Sequence, residues 1–326
     1  MAVFFIYTTI KFFIIIVPVL ISVAYLTLAE RKILGYSQMR KGPNVVGIYG
    51  LFQPLADGVK LFSKEMIIPS HVSLLLYFFC PILALGLAML SWSLMPLGQS
   101  FIVVDHTLGL LIVFVLSSVG VYAILMSGWA SNSKYAFMGA LRAAAQMISY
   151  EVCIGLIVFS CVLCVGSLNL TTIVDTQIHG IWFILPLFPA ALMFFVSCLA
   201  ETNRAPFDLT EGESELVSGY NVEYASMSFA LFFLAEYSHI IFMSFLFTLL
   251  FLGGWSGPWN WSIWFFFKAI FIIFLFIWVR TSFPRWRYDQ LMHLLWKTYL
   301  PLSLALIIIV NTILWISYGL PPLGFN

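Results

Sequence analysis

Between Glu201 and Glu223, a stretch of 23 residues, six acidic side chains (Glu201, Asp208, Glu211, Glu213, Glu215 and Glu223) face the single basic residue Arg204, a local formal charge of −5. The chain has only 14 Asp and Glu in all, so this is a marked concentration. Glu211 and Glu215 are four apart. A helical turn there stacks two carboxylates on one face, which disfavours the helix but favours a proton shared between them. A solvated acidic loop is the ordinary outcome of such a run. Against it, Pro206, Phe207, Leu209, Leu216, Val217 and Tyr220 interleave apolar groups with the acids, and a free loop has little need of them.

Two further acids fall inside apolar sequence. Apolar residues after Glu151 run only as far as Gly166, so a helix long enough to cross a bilayer must take in Glu151 and residues before it. Glu236 lies near the middle of a long apolar run, with Tyr237 beside it and His239 one turn on. A lone charge at such depth costs at least about 2.5–3.5 kcal/mol, so these acids are expected to face the bundle interior, find a partner and mark an ion or proton path. The alternative is an interhelical hydrogen bond from a neutral carboxylic acid. Lys268 is either the positive partner of one of them or a side chain that snorkels toward the interface.

Other chemistry is poorly supported. Cys161 and Cys164 form a CxxC, but all five cysteines (Cys80, Cys153, Cys161, Cys164 and Cys198) lie in apolar stretches and read as small core residues. An iron–sulfur cluster wants about four thiolates and no second pair exists, so no metal site is expected in this chain. Gly253-Gly-Trp-Ser-Gly257 is glycine-rich but follows no strand, so it is not expected to cradle phosphate.

The elements that must position these groups are set by hydropathy. At 62% hydrophobic, 17% aromatic and 9% charged, the composition is far from the soluble range. It predicts an all-α, polytopic membrane helical bundle forming a single domain over residues 1–326. About eight transmembrane helices are expected, near 5–29, 72–96, 107–128, 146–166, 181–199, 225–252, 263–281 and 299–318. Short amphipathic interfacial helices are expected as well: Pro54 is placed to begin one whose Leu55, Val59 and Phe62 lie opposite Asp57, Lys60 and Lys64. By itself that helix need only anchor its loop on the lipid surface. Lys11 is the only basic residue near the start of the first apolar run, no cleavage site follows it, and it reads as a retained helix. Basic residues fall almost entirely in or beside the loops after the first, third, fifth and seventh spans, residues 30–70, 129–145, 200–224 and 282–298. Those loops are therefore expected on the matrix or cytoplasmic side, with both termini on the opposite, intermembrane-space or periplasmic side. Segments outside the membrane are too short to bury a nucleotide-binding core, so soluble catalysis must belong to partner subunits.

Two long, irregular motifs resemble one family. Gly42-Pro-Asn-Val-Val-Gly47, continuing through Gly50-Leu-Phe-Gln-Pro-Leu-Ala-Asp57 to Lys60-Leu61 and Lys64-Glu65, is similar to one signature of subunit 1 of respiratory complex I, the proton-pumping NADH:ubiquinone oxidoreductase. Ala205-Pro-Phe-Asp-Leu-Thr-Glu-Gly-Glu-Ser-Glu-Leu-Val-Ser-Gly-Tyr-Asn-Val-Glu-Tyr224 resembles the other. The likeness extends through Ala29-Glu-Arg-Lys32, Arg142 to Glu151, and Phe283-Pro-Arg-Trp-Arg-Tyr-Asp-Gln-Leu-Met292, and covers essentially the whole chain. The loops near 98–106 and 168–180 are uninformative.

The resemblance implies a membrane subunit of a larger enzyme, without a complete active site of its own, in the mitochondrial inner membrane or a bacterial plasma membrane. Ubiquinone is the implied substrate; NADH, flavin mononucleotide and iron–sulfur clusters are implied only on partner subunits. Implied partners are the other membrane-arm subunits and the quinone-site subunits of the peripheral arm, within a lipid bilayer and with no nucleic acid. The quinone tunnel is implied to include Arg31, Arg40, Asp57, Phe207 and Arg280. An acidic proton relay is implied through Glu151, Glu201, Asp208, Glu211, Glu213, Glu215, Glu223 and Glu236, with Arg204 and Arg142 setting which acids are ionised. The competing classes are the equivalent anchor of a hydrogenase-type complex and a freestanding ion antiporter.

Overall fold

The computed structural model describes residues 2–99, 101–208, 219–257 and 263–317, with side chains from residue 8 onward. Every regular element among them is helical. The elements are α1 (Ala2–Ser37), α2 (Gln53–Ser63), α3 (Leu74–Trp92), α4 (Gly109–Ala130), α5 (Lys134–Val165), α6 (Leu170–His179), α7 (Phe188–Glu201), α8 (Ser226–Phe251), α9 (Ile263–Ser282), α10 (Tyr288–Leu294) and α11 (Leu300–Ile316). A π-helical turn, Leu295–Tyr299, joins the last two.

Seven of the described helical stretches are long and apolar enough to cross a bilayer, and the shorter apolar α7 occupies the place of the expected fifth span. That span was expected over 181–199, but its helix begins only at Phe188, with Pro189 in its first turn where the missing N–H costs nothing. The irregular residues before it are anchored on α8: the Ile184 N–H donates to the Phe251 carbonyl at 3.0 Å. Non-helical backbone at membrane depth survives only where protein satisfies it in this way. The 168–180 loop, from which nothing was expected, contains α6. Asn169 caps it by accepting the Thr171 N–H at 3.1 Å, and Gln177 donates to the Leu249 carbonyl at 2.9 Å.

The span around Glu151 is much longer than 146–166, because α5 starts at Lys134 behind the Ser133 N-cap and stops at Gly166, whose φ of 76° suits glycine. The expected interfacial helix forms as α2, with Pro54 in its first turn, and its Leu55, Val59 and Phe62 remain exposed. Helix α8 is the hub: α1, α3, α7 and α9 all pack on it, while α5 packs against α4, α7 and α11. Its buried Phe242, Phe245 and Phe247 make ring contacts with α3, α7 and α9.

Candidate functional site

The segment following α7 carries Arg204 into the protein. Three contacts hold it there: Gln146 of α5 donates to the Ala200 carbonyl at 2.8 Å and the Phe207 carbonyl at 3.0 Å, and the Trp286 N–H donates to the Pro206 carbonyl at 3.0 Å. Arg204 Nη1 then lies 2.9 Å from Glu30 Oε1 on α1, and Nε lies 3.2 Å from Glu236 Oε1 on α8. The first contact is a hydrogen-bonded ion pair. The second is an ion pair without an aligned hydrogen bond, since the Nε–H makes none among the described residues. Arg280 of α9 donates to the same Glu30 oxygen, and Tyr237 Oη donates to the other at 2.6 Å. The guanidinium also lies over the Tyr237 ring at 4.3 Å, a cation–π contact.

Burial alone would push the Arg204 guanidinium down, but Glu236 and Glu30 on either side more than offset this and hold it protonated. Charges this deep are tolerable only when each has a partner.

Two cavities meet at this network. One, of about 110 Å³, lies among α3, α4, α5, α8 and the end of α7, and its polar lining includes Ser117, Glu201, Asn203, Glu236 and His239. The other, of about 20 Å³, lies between α1, α8 and α9 and is lined by Glu30, Arg204, Tyr237 and Arg280 among apolar residues. Arg204 borders the smaller cavity and reaches the Glu236 carboxylate that lines the larger.

Of the expected relay acids, Glu201 and Glu236 line one cavity, and Glu151 of α5 accepts hydrogen bonds from Ser117, which also lines it, at 3.1 Å and from Ser118. Asp208 points elsewhere, to Arg285 at 3.2 Å, and Glu223 is fixed through its carbonyl, which accepts the Tyr77 hydroxyl at 2.8 Å. Tyr77 also stacks on Tyr224 at 4.2 Å, so α3 grips the end of the acidic segment. Glu211, Glu213 and Glu215 lie outside the described residues.

Of the expected tunnel residues, only Arg280 lines the smaller cavity. Arg31 pairs with Asp57 at 2.7 Å on the exposed surface, which ties α2 to the end of α1, and Arg40 is exposed nearby. Phe207 is buried between Tyr150 and Trp286, with ring centroids 6.2 and 6.1 Å away. Arg142 lies over the ring of Tyr288.

Lys268 is not the counter-ion of Glu236 or Glu151. Its ammonium donates to the Leu252, Gly254 and Ser256 carbonyls at 2.7, 3.1 and 2.5 Å and sits 4.3 Å from the centre of the Trp182 ring. It closes the C-terminal end of α8, where carbonyls lack helical partners. The residue that sequence reasoning passed over is Glu30. An expected boundary at residue 29 left it outside the first span, whereas α1 continues to Ser37 and carries Glu30 roughly two turns inside its end. Among the described residues, no group of three His, Cys, Asp or Glu is arranged to hold a metal ion.

A sequence model of the family described as NADH dehydrogenase matches residues 10–311. The chain belongs to this family, that of subunit 1 of respiratory complex I. Within it, NADH-ubiquinone oxidoreductase chain 1 of Metridium senile is 64% identical over 97% of this chain and 96% of its own length. The chain 1 of Chondrus crispus is 56% identical, covering 96% and 98%. A bacterial relative, the corresponding polypeptide of the NADH-quinone oxidoreductase of Rhodospirillum rubrum, is 55% identical, covering 90% of both chains. Membership in this subunit-1 family makes the chain a membrane subunit of an NADH–quinone oxidoreductase.

Proposed function

We propose that this subunit forms one wall of the quinone chamber of the intact complex and carries a carboxylate relay that couples quinone reduction to proton movement. The observation that carries the reading is the position of Arg204, which pairs with Glu30 beside one cavity and with Glu236 beside the other. Reducing a quinone to a quinol consumes two electrons and two protons and changes the local charge. A buried arginine held between two carboxylates is sensitive to such a change, because strengthening one ion pair weakens its hold on the other.

The 20 Å³ crevice is too small to receive a quinone ring. In this reading the ring is reduced in a chamber completed by a peripheral-arm subunit, and Glu30, Tyr237 and Arg280 respond to its charge. The larger cavity has room for several waters at about 10–15 Å³ each. Those waters would link Glu236, Glu201 and the Ser117–Glu151 pair into a proton-conducting chain. NADH, flavin and iron–sulfur clusters belong to partner subunits that dock on the face bearing α2 and the basic loops. The ubiquinone-linked names of the mitochondrial-type relatives favour the mitochondrial inner membrane and ubiquinone as substrate.

The test is Glu236→Gln in the intact complex reconstituted into sealed vesicles. Electron transfer from NADH to quinone and proton translocation should fall together while the amount of assembled complex is unchanged. Unaltered turnover and translocation would remove Glu236 from the relay.

A further inference from the structure

His239 is the one imidazole that lines the larger cavity, and neither the charge network nor the relay described above uses it. It follows Glu236 by one turn of α8, its ring lies nearly parallel to that of Phe242 (13° between planes, centroids 6.1 Å apart), and its Nε2 is 4.0 Å from Glu201 Oε1. The two arginines at the network attend to other carboxylates: Arg204 to Glu30 and Glu236, Arg280 to Glu30. Glu201 is 2% exposed, and its second oxygen, Oε2, has no hydrogen-bond partner among the described residues. The imidazole is therefore the only basic side chain within ion-pair reach of Glu201 among those residues.

We propose that His239 is a proton-carrying group between Glu201 and the waters of the cavity that lead to Glu236, an inference that rests on the relay reading above. At 4.0 Å the imidazole and carboxylate are beyond direct hydrogen-bonding distance. The cavity lined by both gives room for a side-chain rotation or one bridging water to close that gap. The step balances without any other reactant. Glu201 gives a proton to Nε2, the other ring nitrogen releases one to cavity water, and the imidazole ends neutral as the alternative tautomer until reverse transfer or rotation resets it.

The experiment uses the intact complex in sealed vesicles with three variants, Glu201→Gln, His239→Asn and His239→Ala, the last assayed with added imidazole or with thiazole, an azole of similar size and much weaker basicity. Turnover per assembled complex in His239→Asn is expected to fall about a hundredfold or more, within the range for loss of a proton-transfer group, with the quinone KM unchanged. Imidazole should restore His239→Ala while thiazole does not. Wild-type turnover in His239→Asn, or equal restoration by both azoles, would overturn the role of His239, since the ring would then only fill space. Wild-type behaviour of Glu201→Gln would instead overturn the relay reading on which the proposal rests. If His239→Ala does not assemble, the turnover of His239→Asn decides alone.

Discussion

The Nε of Arg204 lies 3.2 Å from the Glu236 carboxylate, and that contact is the point at which the charge cluster around Glu30 touches the polar cavity. Glu30 and Glu236 sit on different helices, α1 and α8. One guanidinium, delivered by the segment after α7, serves both.

Arg204→Gln removes the charge that both carboxylates share. Breaking a buried pair from one side costs about 3–5 kcal/mol, so the complex should assemble poorly and melt earlier. Arg204→Lys restores the charge as a single point that cannot span both acids with separate nitrogens. It should assemble better than Arg204→Gln yet turn over well below wild type, as read by thermal stability and NADH–quinone activity on the same preparations.

Tyr237→Phe deletes one hydroxyl and keeps the ring under Arg204. The lost bond, from Oη to Glu30 at 2.6 Å, is to a charged acceptor and contributes about 1.5–3 kcal/mol. Turnover is expected to drop with little change in assembly; full activity in the assembled variant would show that Glu30 needs only its two arginines.

Gly139 of α5 backs directly onto the 3₁₀ turn Gly219–Asn221, where a Cβ would stand 2.9 Å from the backbone of Gly219. No side chain can swing away to relieve that clash. Gly139→Ala should therefore displace the end of the acidic segment at a cost of about 1–3 kcal/mol. Faster hydrogen exchange around residues 219–224 is the direct readout, accompanied by reduced turnover.

Lys268→Met separates structure from mechanism. Three carbonyls at the end of α8 lose their donor, an expected loss of about 1–3 kcal/mol, visible as a lower melting temperature. Turnover per assembled complex should match wild type, because the counter-ion of Glu236 is Arg204.

Much of the fold was legible in the residues because the relevant signals are local. An apolar run of about 20 residues must be a helix in hydrocarbon, where no other open conformation satisfies its backbone. The spacing of Leu55, Val59 and Phe62 behind Pro54 specified α2 equally well, and the placement of Glu151 and Glu236 inside spans followed from counting residues. Helix α7 shows where such counting stops: its first turn is delayed to Phe188 by what the preceding segment finds on α8.

The sequence by itself determined that this is an all-α membrane bundle of the complex I subunit-1 family, with acids buried at a depth that obliges them to find partners. The tertiary structure alone decided which partners. Glu30 meets Arg204 across 174 positions and Arg280 across 250, while Lys268, the cation that hydropathy placed inside a span, is spent on carbonyls at a helix end. A charge in low dielectric needs a counter-charge, but Coulomb attraction is indifferent to chain separation, so any opposite charge that packing brings close will serve. That choice belongs to helix packing, and it placed one arginine between Glu30 and Glu236.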